Sequence, residues 1–317
     1  MIGDTIENML NQSTPPFELI VVDDGSTDDS VKIIRSFGDK VMLIQQANHG
    51  PGVARNNGFN ASSGDFIQFM DSDDLASKNK LESQLNALLR SGADFAYCPW
   101  ARCRIEENKI AYLDKVLQSR AVPEIKSMLE WFLSGWSLVF QNCLFKRSLI
   151  ETTGGYRSDL MPSEDSEYFL RMLLANAKPI HTPDCLVFYR EHNINKITAS
   201  GTSAVHRAND WTMYLEIAGE MLKSKLTDFR LSTKIALSAS VQNHISYCKQ
   251  NGLKQLSDNN PLHNIKIPAK AVVLQTYNLY QKSRRKILNS PDFNRAFFPV
   301  KPGEIHRRSA KEIGFNI

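Results

Sequence analysis

The feature that most constrains this chain is a short apolar run that ends in an acidic cluster, and it occurs twice. Residues 18–22 (ELIVV) form a buried-strand run that stops at Asp23-Asp24-Gly25-Ser26, and residues 66–70 (FIQFM) form another that stops at Asp71-Ser72-Asp73-Asp74. Residues 41–44 and 94–98 are two further strand candidates. Helical periods separate them. Ile2, Ile6, Met9 and Leu10 share one face, and Asp28 to Ser30 can cap a helix carrying Val31, Ile34 and Phe37. Residues 50–61 read as a short helix, and Ser77 is placed to cap one with Leu81, Leu85, Leu88 and Leu89, closed by Gly92. Strands spaced this way predict βαβ units, hence an α/β fold with a mostly parallel sheet flanked by helices. Such sheets bind ligands at the carboxyl ends of their strands, where both acidic clusters fall.

The chain has 317 residues, enough to bury a full core as one large domain or a catalytic domain with an appendage. With 42% apolar and 23% charged residues it reads as soluble and globular. It has no apolar run long enough for a membrane span, and MIGDTIENML lacks the basic-then-apolar order of a secretory signal. The five cysteines (Cys98, Cys103, Cys143, Cys185 and Cys248) form no C-x-x-C pair and sit in apolar segments. They predict reduced, mostly buried thiols in a cytoplasmic protein.

Charge divides the chain. Residues 1–200 hold 20 Lys and Arg against 26 Asp and Glu, whereas residues 201–317 hold 18 against 8. The acidic part suits a cation site; the basic part suits either an anionic partner or a solvated surface. From residue 201 the pattern turns helical, over 205–223, 231–249 and 269–288, with a polar linker at 257–268. The expected division is a catalytic domain over 1–200 and a basic helical region over 201–317.

Two carboxylates one residue apart, such as Asp71 and Asp73, can meet one hard divalent cation where the backbone turns after a strand. The same acids can equally serve only as turn and capping residues. Asp24 can accept hydrogen bonds from a base N–H or a ribose hydroxyl, and Gly25 permits close backbone approach. Glu164 and Asp165 precede a helical run through Tyr168, Arg171 and Met172. They are ordinary helix-start acids or, in a cleft, a general base. Trp131 and Trp136 fit core packing better than sugar stacking.

Four blocks together resemble the family 2 glycosyltransferases, inverting enzymes of the GT-A fold. They are residues 18–29 (ELIVVDDGSTDD), 50–58 (GPGVARNNG), 66–75 (FIQFMDSDDL) and 154–171 (GGYRSDLMPSEDSEYFLR), in order and in register over about the first 200 residues. The resemblance implies that Asp24 contacts the nucleotide base, with Asp23 in support, and that Arg55 lies near the donor. It implies that Asp71 and Asp73 hold the donor's ribose and diphosphate and a Mg²⁺ or Mn²⁺ ion, with Asp74 in support. Asp165 looks like the catalytic base, next to Glu164. Residues 189–192 are similar to the family's Y-R-x-H, in which His192 would help bind the metal.

The implied partners are a nucleotide-sugar donor and a saccharide or lipid-linked acceptor of the cell envelope. The basic helix over 269–288, with Lys282, Arg284, Arg285 and Lys286, suits either peripheral contact with the inner face of the plasma membrane or packing on the catalytic domain. No nucleic-acid module is recognisable. The family normally opens with a strand like VSIIIPTYN, and the expectation here is a start set downstream of it, leaving unpaired backbone beside residues 18–24. Metal-dependent nucleotidyl transfer and a non-catalytic nucleotide-sugar binder are the rival readings; the block at 154–171 speaks against the first, which needs no base there.

Overall fold

In a computed structural model of the chain, residues 1–192 are described apart from 107–108, 114–115, 123, 125–126, 134–135, 137 and 161–163, together with 232–233, 236–237, 249–250 and 308–309. The helices expected over 205–223 and 269–288, the linker at 257–268, Cys248 and nearly all of 231–249 lie outside the described residues.

The elements run α1 (Ile2–Leu10), β1 (Ile20–Asp24), α2 (Ser30–Arg35), β2 (Met42–Gln46), α3 (Pro51–Ala61), β3 (Phe66–Ile67), β4 (Leu75–Ala76), α4 (Lys80–Arg90), β5 (Phe95–Tyr97), β6 (Trp100–Glu106) and β7 (Lys109–Tyr112). They continue with α5 (Met128–Leu133), β8 (Cys143–Lys146), α6 (Arg147–Thr153), α7 (Glu164–Leu174), β9 (Pro179–His181), β10 (Val187–Arg190) and β11 (Arg308–Ser309). Three sheets result, ordered β3-β8-β5-β9, β11-β7-β6-β10-β4 and β1-β2. The α/β class holds, and the pairing within it is mixed. β1–β2, β6–β10 and β5–β9 are parallel; β3–β8, β5–β8, β6–β7, β4–β10 and β7–β11 are antiparallel.

Local chemistry explains where the elements begin. Helix α3 starts with Pro51 in its first turn, behind Gly50 at φ 89, a left-handed conformation that glycine adopts without strain. Ser77 does not cap α4; Asn79 stands at that position, and the Ser77 hydroxyl accepts from the Leu186 amide at 3.0 Å. Helix α1 buries Ile6 and Met9, as its apolar period predicts. It also buries Thr5 and Asn8, and with Gln12, buried just past its end, they form a polar stripe at spacings of three and four. Those side chains replace a strand partner for the segment after the acidic loop. Thr5 donates to the Ser72 and Asp74 carbonyls, Asn8 bonds both the amide and the carbonyl of Ala76, and Gln12 donates to Ser77.

The main core is aromatic. Phe95, Phe140, Phe145, Tyr168 and Phe169 are sealed from solvent between the β3-β8-β5-β9 sheet and α7, and Trp136 packs against them, edge-on to Tyr97. Cys98, Cys103, Cys143 and Cys185 are free and buried, as expected.

Among the described residues β1 pairs only with β2, and β3 only with β8. The facing edges border one slot of about 950 Å³. Consecutive residues line it, residues 18–22 on one side and 64–72 on the other. Because successive side chains alternate between the faces of a strand, unbroken runs mean that strand edges face the slot. The run expected as a strand over 66–70 is therefore laddered only at Phe66–Ile67.

Candidate active site

The acidic residues sit where strand and loop meet at one end of the slot, which Asp24, Arg55 and Asp71 all border. Asp23 and Asp24 are the last two residues of β1. Asp23 is buried and its Oδ1 accepts from the Ser26 amide at 3.2 Å, closing the turn. Asp24 accepts from the Gln46 side chain at 2.7 Å and from the His49 and Gly50 amides at 2.8 Å each. It thereby anchors the loop that leads into α3.

Arg55 projects from α3 into a cluster of acids. Its Nη2 donates to Asp71 Oδ1 at 2.8 Å, and its Nη1 to Glu164 Oε1 at 3.0 Å and Asp165 Oδ1 at 2.9 Å. The guanidinium also lies 5.2 Å from the centre of the Tyr156 ring. One side chain thus touches residues from the acidic loop and from the start of α7. Burial pushes the Asp165 carboxyl up to about 6; the Arg55 charge opposes the rise, and Asp71 and Glu164 add to it. A carboxylate with that value is ionised at neutral pH and basic enough to accept a proton.

Asp71, Asp73 and Asp74 bring carboxylate oxygens within 4.8 Å of one another. His192 stands just beyond β10, its Nε2 2.9 Å from Asp73 Oδ2, while its Nδ1 is buried without a partner among the described residues. Asp74 accepts from the Arg190 amide and from Gln141, at 3.0 Å each. Burial first, then the Asp71 and Asp73 charges, lifts its carboxyl well above the usual carboxylate range. The three acids cluster although Arg55 already pairs with Asp71, and one of them is too crowded to ionise readily. Hard oxygen donors beside one imidazole fit Mg²⁺ or Mn²⁺.

Three supporting groups escaped the sequence reading. Gln141 bridges Asp71 and Asp74 from a turn just before β8. Arg190 is buried; its side chain donates to the Asp73 carbonyl, to Asp4 at 2.6 Å and to the Met1 carbonyl at 3.0 Å. The α1 stripe holds the other side of the loop. Each had a signal, since Gln141-Asn142 interrupts an apolar run, Thr5, Asn8 and Gln12 keep helical spacing, and Arg190 stands in the Y-R-x-H segment.

The glycosyl transferase family 2 model matches residues 1–154. Over these residues the chain is similar to glycosyltransferase family 2. An uncharacterized glycosyltransferase of Haemophilus influenzae is 42% identical over 113 residues, 34% of this chain and 45% of that protein. The putative teichuronic acid biosynthesis glycosyltransferase TuaG of Bacillus subtilis is 27% identical over 221 residues, 68% of this chain and 82% of TuaG. Among solved structures, S. aureus TarS 1-349 superposes with a TM-score of 0.56 at 19% identity, covering 93% of this chain and 77% of that one. The mannosyltransferase PcManGT of Pyrobaculum calidifontis, solved with GDP-Man and Mn²⁺, gives 0.54 at 18%, covering 93% and 81%. These likenesses establish the GT-A fold. Among the described residues, no helix is long and apolar enough to cross a membrane.

Proposed function

We propose that the chain is an inverting glycosyltransferase that moves a sugar from a nucleotide-sugar donor to a hydroxyl group, in the synthesis of a cell-surface polysaccharide or glycolipid. The observation that carries this reading is the Arg55 bridge, which brings the acidic loop and Asp165 to a single guanidinium. In the reaction, Asp165 takes the proton of the acceptor hydroxyl. The acceptor oxygen then attacks the anomeric carbon as the bond from that carbon to the diphosphate oxygen breaks. The leaving group is a nucleoside diphosphate, and attack from the opposite face inverts the configuration.

Asp71, Asp73 and His192 would hold a Mg²⁺ or Mn²⁺ ion, which when bound neutralises charge on the departing diphosphate. Asp24 would orient the nucleotide through the loop it anchors. The donor class is supported by the GDP-Man and Mn²⁺ in the mannosyltransferase and by UDP-GlcNAc in a TarS complex of TM-score 0.52. The polysaccharide direction is supported by the name of TuaG.

A screen of nucleotide-sugar donors tests the proposal by the product released. Release of nucleoside diphosphate, with inverted anomeric configuration by NMR, is the expected result. Pyrophosphate release would instead mean nucleotidyl transfer, and no release from any donor would leave only a binding protein.

A further inference from the structure

We propose that Arg55 is a positioning residue for the transfer reaction, fixing the base Asp165 and the acidic-loop residue Asp71 in one frame. The inference rests on the transferase reading and goes beyond placing Arg55 near a donor. Both ends of the guanidinium are occupied by the protein itself, Nη1 by Glu164 and Asp165 and Nη2 by Asp71. The side chain is 14% exposed, so little of it is left to meet a ligand. Its fork is rigid and planar, and carboxylates bonded to both ends are held at a fixed separation. The distance from base to donor is the quantity such a spacer controls.

The helix that carries Arg55 is itself clamped. Asn56, the next residue, donates to the Tyr156 carbonyl and accepts from the Tyr156 amide, both at 2.7 Å. A methyl group at Gly155 would stand 2.3 Å from the Asn56 Oδ1, and one at Gly52 would stand 3.3 Å from the Tyr156 Cβ and the Arg157 carbonyl. Helix α3 is therefore seated closely against residues 155–157, near the start of α7, with Asn56 filling the space that a side chain at Gly155 would need. A chain that needed Arg55 only as a mobile phosphate ligand would have no use for this seating. Misplacing a base by about an ångström can cost on the order of 100-fold in rate.

Arg55→Met and Arg55→Lys test the role in the full chain. Donor KM and kcat are read from nucleoside diphosphate release, UDP or GDP affinity with Mn²⁺ by calorimetry, and folding by thermal melting. Arg55→Met is expected to lower kcat about 100-fold while donor KM and nucleotide affinity stay within about threefold. Arg55→Lys keeps the charge but loses the fork, and should fall between Met and wild type. A tenfold or greater rise in KM with kcat preserved would make Arg55 a donor ligand and overturn the proposal, as would unchanged kinetics. Should Arg55→Met fail to fold, Asn56→Ala takes its place, because it unseats α3 without touching an acid. It is expected to lower kcat and spare KM, and unchanged kcat in the folded variant overturns the proposal. Absence of turnover by the wild-type chain defeats the transferase reading itself. Wild-type turnover with either overturning result defeats only the role of Arg55.

Discussion

The two sides of the site are built differently. The side that carries Asp165 rests on Phe95, Phe140, Phe145, Tyr168 and Phe169, all sealed from solvent, and β5 is paired on both edges. The side that carries Asp24 rests on β1, paired on one edge and facing the slot with the other. Along β1 only Asp23 is buried. The proposed base therefore sits on a platform of sealed aromatic rings, whereas the proposed nucleotide floor packs on a smaller aliphatic cluster around Ile6, Ile34 and Val41 and is tied at its end by the contacts of Asp24 with the loop before α3. A base needs an accurate position, while a floor that admits a large ligand tolerates more give.

Removing core volume should separate the two sides most sharply. Phe145→Ala is expected to cost about 3–5 kcal/mol in urea unfolding, whereas Val21→Ala, on a half-buried strand, should cost about 1 kcal/mol or less. Equal losses would mean that β1 is as deeply packed as β8. Hydrogen exchange gives the next contrast, with the amides of β5 exchanging at least about tenfold more slowly than those of Ile20 to Val22. Fusing an apolar strand-forming segment ahead of Met1 should narrow that gap if it enters the slot and pairs with β1; unchanged exchange would mean that it does not dock there.

The pH response bears on the platform side alone. Asp165 must be ionised to take a proton, and its carboxyl is held at about 6, so kcat/KM should fall as pH drops through that value. Below it the loss should approach about tenfold per pH unit. An acid limb near the value of an exposed aspartate would move the proton acceptor elsewhere. The smallest effect expected is on cation binding by Gln141→Met, which frees Asp71 and Asp74 from their shared donor and should change Mn²⁺ affinity by no more than about tenfold in calorimetry.

What the sequence disclosed followed the same division. Strand runs ending in acids, and the motif blocks, named the candidate residues because such features are local, and of these Asp24, Arg55 and Asp71 line the slot. Position along the chain names Asp71, Asp73, Glu164 and Asp165, but the contact that unites them is made by Arg55 from a helix 110 residues before Asp165. Nothing in a linear pattern measures that reach. Strands β6, β7 and β8 were equally hidden. β6 does alternate, with Ala101 and Cys103 buried and Arg102 and Arg104 exposed, a pattern the sequence reading passed over, whereas β8 reads as a mere apolar stretch because it is buried by α4 and α6 and by pairing on both edges. Gln141 and Arg190 act through backbone and side-chain contacts that span more than 65 residues, so their partners could not be read from spacing.

The sharpest test replaces Asp165 with asparagine, which keeps its outline and removes its basicity. Turnover should fall about 10²–10⁴-fold, while calorimetry finds nucleoside diphosphate and Mn²⁺ bound as tightly as by the wild-type chain. Turnover close to wild type would contradict the assignment of the base, and with it the mechanism proposed for the site.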